Sequence, residues 1–232
     1  MEQRDQIAAN LQLVRQQIAD AATQAGRQPH EVTLVGVTKY VDSAATRMLF
    51  DAGCVDLGES RPQSLWEKGD QLANCGVRWH LIGHLQRNKV KRSLPFVSLL
   101  HSGDSLRLLA DVNIEAGKLE RVADVLLEVN ISGDANKHGF SAQELPAALP
   151  ELLQLRNLRV RGLMTMAALE GGNAHARRDF DSLRNLRDRL AADCPPEITL
   201  RELSMGMSGD YAEAIAAGAT LVRIGSALWE GI

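Results

Sequence analysis

Short runs of apolar residues alternate along this chain with longer segments in which apolar positions recur at helical spacing. The first apolar run covers residues 32–37, contains β-branched side chains and has the length of one fully buried strand. The segment before it predicts a helix that ends before Gly26, on the spacing of four apolar residues: Ile7, Leu11, Val14 and Ile18. The pattern therefore predicts a helix followed by a buried strand within the first 40 residues.

The same alternation continues to the end of the chain. Strands are predicted at residues 32–37, 55–58, 77–83, 96–101, 124–131, 158–166, 198–203 and 221–224. Helices are predicted between them at residues 43–52, 62–73, 86–93, 173–192 and 209–217, with two more that begin at Asp104 and Ser141. Asp104 is the predicted N-cap of its helix, and Glu144 is placed to complete a capping box with Ser141.

Eight strands that alternate with helices predict an α/β fold, a single (β/α)8 TIM barrel. No linker or change of composition divides the series, so residues 1–232 are predicted to form one domain. An open doubly wound sheet is the alternative. The glycine-rich dinucleotide fingerprint of that fold is, however, missing after the first predicted strand.

Composition and charge narrow the classes of partner. The formal net charge of -3 argues against nucleic acid, and no run of eighteen apolar residues is present to cross a membrane. The first residues lack the apolar core of a signal peptide, and three cysteines, Cys54, Cys75 and Cys194, are widely spaced. We therefore expect a cytoplasmic protein with reduced thiols and no membrane partner.

Lys39 follows the first predicted strand, at the end where α/β folds place their chemistry. A lysine at this position can be a solvated loop residue. It can also be an amine that a partly apolar barrel mouth keeps neutral, able to form a Schiff base with an aldehyde or ketone. Residues at the ends of the other strands bear on the choice between these interpretations.

Two loops near the end of the chain have the composition of a phosphate site. They follow the last two predicted strands and cover residues 204–210 and Gly225–Ser226. Glycine lets backbone amides approach an anion, serine adds a hydroxyl donor, and TIM barrels often hold phosphate in these loops. Each loop alone can equally be a turn with a helix cap.

Arg223 lies two residues before Gly225, on the last predicted strand. It can form a surface ion pair, or it can direct its guanidinium into the barrel mouth. In the mouth it would oppose protonation of a nearby ring nitrogen, because two positive charges close together repel in a medium of low dielectric constant.

Other polar residues are weaker candidates. His80 and His84 have a metal-binding spacing only on a helix, and the predicted strand and Gly83 between them break that geometry, so no metal site is expected. Glu59 and Asp210 at strand ends can be general bases, but are more commonly caps or ion-pair partners. Lys137 is predicted to be a solvated loop lysine, with transient capture of an aldehyde as the alternative.

Several blocks of residues together resemble a known family. In chain order they are residues 37–39 (VTK), 57–61 (LGESR), 79–89 (WHLIGHLQRNK), 130–132 with Lys137 and Gly139, 161–164 (RGLM), 203–208 (LSMGMS) and 222–226 (VRIGS). On these blocks the chain resembles the pyridoxal phosphate homeostasis protein family, of the proline synthase co-transcribed type, over nearly its full length. The resemblance implies a barrel of the alanine racemase N-terminal-domain type.

The resemblance also implies a site for pyridoxal 5'-phosphate (PLP). Lys39 would hold PLP as a Schiff base, and Arg223 would lie beside the pyridine nitrogen. The implied cofactor-binding residues are Lys39, Ser60, Met207, Ser208, Arg223, Gly225 and Ser226, of which Ser208, Gly225 and Ser226 would receive the phosphate. Two departures bear on this site: Ser60 stands where the family usually has asparagine, and Tyr40 where many members have threonine.

By the same resemblance, the protein would take part in PLP homeostasis as a carrier or buffer that passes the cofactor to apo-enzymes. We expect a monomer rather than an obligate dimer, and a binding protein rather than an enzyme. In alanine racemase a tyrosine of a second domain acts as the opposite base, whereas Tyr40 and Tyr211 are the only tyrosines here. A low-activity PLP-dependent amino-acid racemase and a cofactor-free aldolase remain as alternatives.

Overall fold

The computed structural model describes residues 2–134, 137–168, 171–194 and 198–232. In these ranges, parallel strands close into a barrel in chain order, and the last strand pairs with the first. The strands are β1 Thr33–Val37, β2 Asp56–Glu59, β3 Arg78–Leu81, β4 Val97–Gly103, β5 Ala123–Glu128, β6 Leu158–Met164, β7 Glu202–Met207 and β8 Leu221–Ile224. The predicted (β/α)8 TIM barrel is confirmed.

Helices cover the outside of the barrel. Within the described ranges they are α1 Gln3–Gln24, α2 Ser43–Asp51, α3 Pro62–Gln71, α4 Val90–Ser93, α5 Leu106–Lys118, α6 Leu145–Leu152, α7 Gly172–Asp193 and α8 Tyr211–Ala216. The predicted apolar stripe of α1, including Ile7 and Leu11, is buried where this helix packs between α2 and α8. None of the helices described is long and apolar enough to cross a membrane.

The seventh strand lies four residues later than the sequence pattern predicts. Ile198 and Leu200 are buried, which gives them the apolar signature of a strand, but Leu200 has a φ of 36° and cannot continue extended backbone. Strand β7 instead begins at Glu202, which pairs with Gly162 of β6. The predicted strand at 198–203 is therefore wrong, and Ser204 lies inside a barrel strand rather than in a loop.

Two predicted helix starts also differ from the structure. Asp104 is not the N-cap of α5: the hydroxyl of Ser105 accepts the capping amide, and Asp104 accepts a hydrogen bond from Ser105 over 2.9 Å. Ser141 and Glu144 do form the predicted reciprocal pair, each amide donating to the other side chain over 3.1 Å. Helix α6 nevertheless begins only at Leu145, so this pair closes the turn that precedes it.

Candidate functional site

A cavity of about 860 Å³ opens where the barrel strands end. Its volume falls in the range of small-molecule sites. All seven residues predicted to bind the cofactor line it: Lys39, Ser60, Met207, Ser208, Arg223, Gly225 and Ser226. The structure therefore brings these residues to one place, and their roles in binding remain a prediction.

Lys39 lies at this cavity, two residues after the end of β1. Its side chain is exposed, with Nζ 4.9 Å from the centre of the Tyr40 ring. The strand end before it is held by Trp229, whose indole N–H donates to the carbonyl oxygen of Val37 over 2.8 Å. Because Trp229 follows the loop after β8, this bond connects the Lys39 strand to the second predicted phosphate loop.

A buried ion pair holds the residue that precedes Lys39. Lys68 of α3 pairs with Glu59 at the end of β2, and both side chains are buried. The Lys68 ammonium also donates to the carbonyl oxygen of Thr38 over 2.7 Å, and the Thr38 hydroxyl donates to Glu59 Oε1 over 2.7 Å. Glu59 is therefore an ion-pair partner, and Thr38 is fixed through both its carbonyl and its hydroxyl.

The two predicted phosphate loops contact each other at the cavity. The Gly225 amide donates to the Ser208 hydroxyl oxygen over 3.2 Å. Within the described part of the chain, the backbone amides of Ser208, Gly209 and Ser226 donate to no protein acceptor. Uncommitted amides on glycine-containing loops, together with serine hydroxyls, are the donors that a phosphate group requires.

Asp210 has a structural role in the first of these loops. Its carboxylate accepts the amide of Met207 over 2.6 Å, which closes the turn after β7. Burial raises the pKa of Asp210 above its ordinary value, with the amide hydrogen bond and the charge of Arg223 acting in the opposite direction. Asp210 occupies the N-cap position of α8 but makes no side-chain capping bond there, so the structure shows its carboxylate closing the turn before the helix.

Arg223 is buried in β8 and reaches the cavity. Its Nη1 donates to the Ser204 hydroxyl oxygen over 2.6 Å, and its Nη2 donates to the carbonyl oxygen of Thr165 over 3.0 Å. Burial lowers the pKa of Arg223 to about 10, so the side chain keeps its charge at neutral pH. The guanidinium is therefore fixed at two points inside the barrel, which excludes a surface ion pair.

Glu128 is a cavity residue that the sequence interpretation missed. It ends β5, lines the cavity and is only 6% exposed. Burial raises its pKa to about 7, with the negative charge of Asp104 adding to the shift and the charge of Arg223 opposing it. An acidic residue directly after the apolar run 125–127 was the signal available in the sequence.

Glu128 gives a testable dependence of stability on pH. Because its pKa is higher in the folded protein than in the unfolded chain, the folded state keeps a proton that the unfolded state loses. Its contribution to stability is therefore complete below pH 4.5 and is lost as the pH rises to about 7. Glu128→Gln should remove this loss. The free energy of unfolding of the variant, relative to that of wild type, should therefore be about 3 kcal/mol higher at pH 8 than at pH 4.

Urea unfolding of both proteins at pH values from 4 to 8 measures this difference. The exposed Glu151→Gln on α6 is the matched control and should follow the wild-type curve. Parallel curves for Glu128→Gln and wild type would show that Glu128 does not titrate as described.

Lys137 also lines the cavity, but its ammonium has three protein acceptors. It donates to the Ser132 hydroxyl over 3.1 Å and to the carbonyl oxygens of Met166 and Ala167 over 3.2 and 3.0 Å. These bonds join the loop after β5 to the segment after β6. The predicted solvated lysine is therefore wrong, while capture of an aldehyde by Lys137 stays a hypothesis.

The structure separates the two histidines that were considered as metal ligands. His80 is buried in the barrel, whereas His84 is exposed at the cavity. Among the described residues, His84, Asp104 and His138 have potential ligand atoms within 4.8 Å of one another. The two rings of this group stack 4.1 Å apart with 14° between their planes, and nearly parallel rings do not direct their nitrogen lone pairs at one ion.

The donors of the cavity fit PLP, which has an aldehyde, a phosphate and a ring nitrogen. Lys39 supplies an amine for the aldehyde, and the two loops supply uncommitted amides and hydroxyls for the phosphate. Arg223 supplies a charged group that can meet the ring nitrogen. These residues come from strands at the start and the end of the chain, and closure of the barrel between β1 and β8 makes them neighbours.

Comparisons with known proteins find relatives over nearly the whole chain. The family model for the alanine racemase N-terminal domain matches residues 3–231. A pyridoxal phosphate homeostasis protein of Synechocystis is 39% identical over 202 residues, which cover 87% of this chain and 92% of that protein. A solved structure from Bifidobacterium adolescentis has a TM-score of 0.91 at 35% identity, covering 97% of this chain and 95% of the other.

A second solved structure is PipY of Synechococcus elongatus with PLP bound. It has a TM-score of 0.85 at 33% identity and covers 96% of this chain and 99% of that protein. With identity above 30% over nearly full length, these matches show common family membership as well as common fold. The chain belongs to the pyridoxal phosphate homeostasis protein family, and its barrel is of the alanine racemase N-terminal-domain type.

Proposed function

We propose that this protein binds PLP as a Schiff base on Lys39 and takes part in PLP homeostasis as a carrier or buffer. The observation that carries the proposal is a single cavity lined by an amine, two donor-rich loops and a charged guanidinium. A relative at 33% identity is known with PLP bound, and relatives at 39% and 37% identity are named pyridoxal phosphate homeostasis proteins. The geometry and the relatives thus support the same ligand.

Each part of the cavity has a distinct task in this proposal. Lys39 supplies the amine that binds the cofactor covalently, and Ser208, Gly225 and Ser226 hold its phosphate. Met207 and Ser60 line the remaining wall. The bound cofactor supplies an electrophilic aldehyde and a ring that can accept electrons.

Arg223 favours holding the cofactor over broad amino-acid chemistry. A guanidinium beside the pyridine nitrogen disfavours its protonation, and an unprotonated ring is a weaker electron acceptor. Tyr211, one of the two tyrosines, donates its hydroxyl hydrogen to Gln17 of α1 over 3.3 Å. This contact commits Tyr211 to the helical layer, whereas Tyr40 lines the cavity beside Lys39.

We also propose that residues 1–232 act as one PLP-binding domain, as a monomer, in the cytoplasm. The barrel closes within this chain, which supports the single domain. Cys54 is a buried thiol, which fits a reducing compartment. The recipients of the cofactor in this proposal are apo-enzymes that use PLP.

The test is reconstitution of the wild-type protein with PLP. We expect a visible absorption band that disappears on borohydride treatment, and peptide mapping that finds the pyridoxyl group on Lys39. Chiral analysis after incubation with L-amino acids should show no turnover above background. A protein that stays colourless with PLP and is trapped by borohydride only with another carbonyl compound would overturn the proposal in favour of an aldolase.

A further inference from the structure

A line of buried polar side chains runs from the cavity through the interior of the barrel. It starts at Arg223, whose Nη1 donates to Ser204 Oγ over 2.6 Å. Ser204 Oγ lies 2.8 Å from His101 Nδ1, and His101 Nε2 lies 2.8 Å from His80 Nδ1. His80 Nε2 lies 3.0 Å from Asp56 Oδ1, which ends the line. Strands β8, β7, β4, β3 and β2 each supply one member.

The two ends of this line face different ends of the barrel. Arg223 lines the cavity at the carboxyl ends of the strands, whereas Asp56 is the first residue of β2 and lines a separate cleft. Ser204 and His101 are fully buried, and His80 is 5% exposed. Polar groups buried this deeply are costly unless each is hydrogen-bonded, so the line is a defined network rather than an accident of packing.

Donor chemistry assigns a direction to every bond in the line when both rings are neutral and Asp56 is ionised. A guanidinium only donates, so Ser204 Oγ accepts from Arg223. A carboxylate only accepts, so His80 carries its proton on Nε2 and donates it to Asp56, which leaves His80 Nδ1 as an acceptor. His101 then donates from Nε2 to His80, and its unprotonated Nδ1 accepts the proton of Ser204. With neutral rings, this arrangement of protons satisfies all four contacts, whereas its reverse leaves His80 Nε2 facing the carboxylate without a proton.

The groups at the acceptor end support this direction. Arg78 donates from Nε to Asp56 Oδ1 over 2.7 Å, which keeps Asp56 an acceptor. Although burial acts to raise the pKa of Asp56, hydrogen bonds from His80 and Arg78 hold it at about 2. Burial lowers the pKa of His101 well below its ordinary value, so its ring is neutral at pH 7.

We propose that Ser204, His101, His80 and Asp56 are positioning residues that fix the Arg223 guanidinium through a one-directional hydrogen-bond chain. The part of Arg223 in cofactor binding rests on the proposed function, whereas the direction of the chain does not. Without Ser204, the guanidinium keeps, among its hydrogen bonds to described residues, only the one to the Thr165 carbonyl, and it can turn about that bond. The polar interior of the barrel thereby sets the orientation of a residue at the cavity.

The first test is nitrogen NMR of the histidine rings in wild-type protein without PLP. We expect both rings to carry their proton on Nε2, with an unprotonated Nδ1 that accepts a hydrogen bond. A proton on Nδ1 of His101, or a doubly protonated His80, would reverse the bond between Ser204 and His101 and overturn the proposal. This measurement needs no variant, so it stands even where a variant fails to fold.

The second test compares Ser204→Ala with Ser102→Ala. Ser102 is also a buried serine and is next to His101 in sequence. Its hydroxyl, however, donates to the carbonyl oxygen of Gly83 over 2.7 Å and takes no part in the hydrogen bonds from Arg223 to Asp56. Ser204→Ala should shift the His101 Nδ1 resonance, move the visible band of bound PLP and weaken PLP binding about tenfold, the effect of one net hydrogen bond. Ser102→Ala should leave the His101 resonances and the band position as in wild type.

The outcomes separate this inference from the proposed function. If His80 and His101 both carry their proton on Nε2 but the protein does not bind PLP, the direction of the hydrogen bonds is supported and the proposed function is contradicted. PLP binding by a protein whose His101 carries its proton on Nδ1 would do the reverse. An unchanged affinity and band position in Ser204→Ala would overturn the positioning role.

Discussion

Replacing Lys39 with alanine is expected to abolish the borohydride-stable attachment of PLP to the protein. The amine at this position is the group that can bind the aldehyde covalently, and the methyl side chain of alanine has no nucleophile to replace it. The donors of Ser208, Gly225 and Ser226 remain, so weak phosphate-dependent binding should persist. Mass spectrometry after reduction measures the adduct, which should fall from nearly one per chain to background.

The matched control is Lys137→Ala, which removes the other lysine that lines the cavity in the described residues. Its ammonium is committed to three oxygen acceptors, so its loss should loosen the loop after β5 but leave the adduct on Lys39. Circular dichroism of both variants should match that of wild type, which would show that they are folded. An adduct that persists in Lys39→Ala and maps to Lys137 would transfer the covalent role to the second lysine.

The position of Lys39 could be predicted from sequence because its signals are local. A short apolar run predicts a strand, and parallel topology places the residue after it at the mouth. The same reasoning placed the loop at Gly225–Ser226, which the structure joins to Lys39 through Trp229 and Val37. Strand order in a closed barrel supplies the proximity that no single motif contains.

The register of β7 could not be predicted in the same way. Burial of Ile198 and Leu200 in irregular backbone produces the same apolar pattern as a buried strand. What fixes the strand is its pairing with β6, where Gly162 faces Glu202 and any side chain at 162 would collide with the Glu202 backbone. That constraint joins residues 40 positions apart and has no signature in either segment.

The line of buried polar side chains from Arg223 to Asp56 could not be predicted for a related reason. These side chains, Asp56, His80, His101, Ser204 and Arg223, come from five strands, and no sequence pattern links them to one another. Only the closed barrel, with inward-facing side chains from opposite strands, brings them within hydrogen-bonding distance. Functional residues at strand ends could therefore be predicted from the sequence, whereas the hydrogen bonds between buried side chains inside the barrel could not.

Replacing Lys68 with methionine should lower the free energy of unfolding by about 3–5 kcal/mol, because it leaves the Glu59 carboxylate buried without its cation. Glu59 is fully buried, and its Oε2 already has no hydrogen-bond partner in the described structure. Lys118→Met, which breaks an exposed pair with Glu115, should change stability by less than about 1 kcal/mol. Urea unfolding at pH 7 measures both variants.

The double variant Lys68→Met/Glu59→Gln separates stability from positioning. It removes the uncompensated charge but keeps a side-chain acceptor for the Thr38 hydroxyl, so it should recover most of the lost free energy. It does not restore the Lys68 bond to the Thr38 carbonyl, which holds the strand end just before Lys39. We therefore expect the double variant to fold stably and still bind PLP more weakly than wild type; recovery of both properties would show that Lys68 serves stability alone.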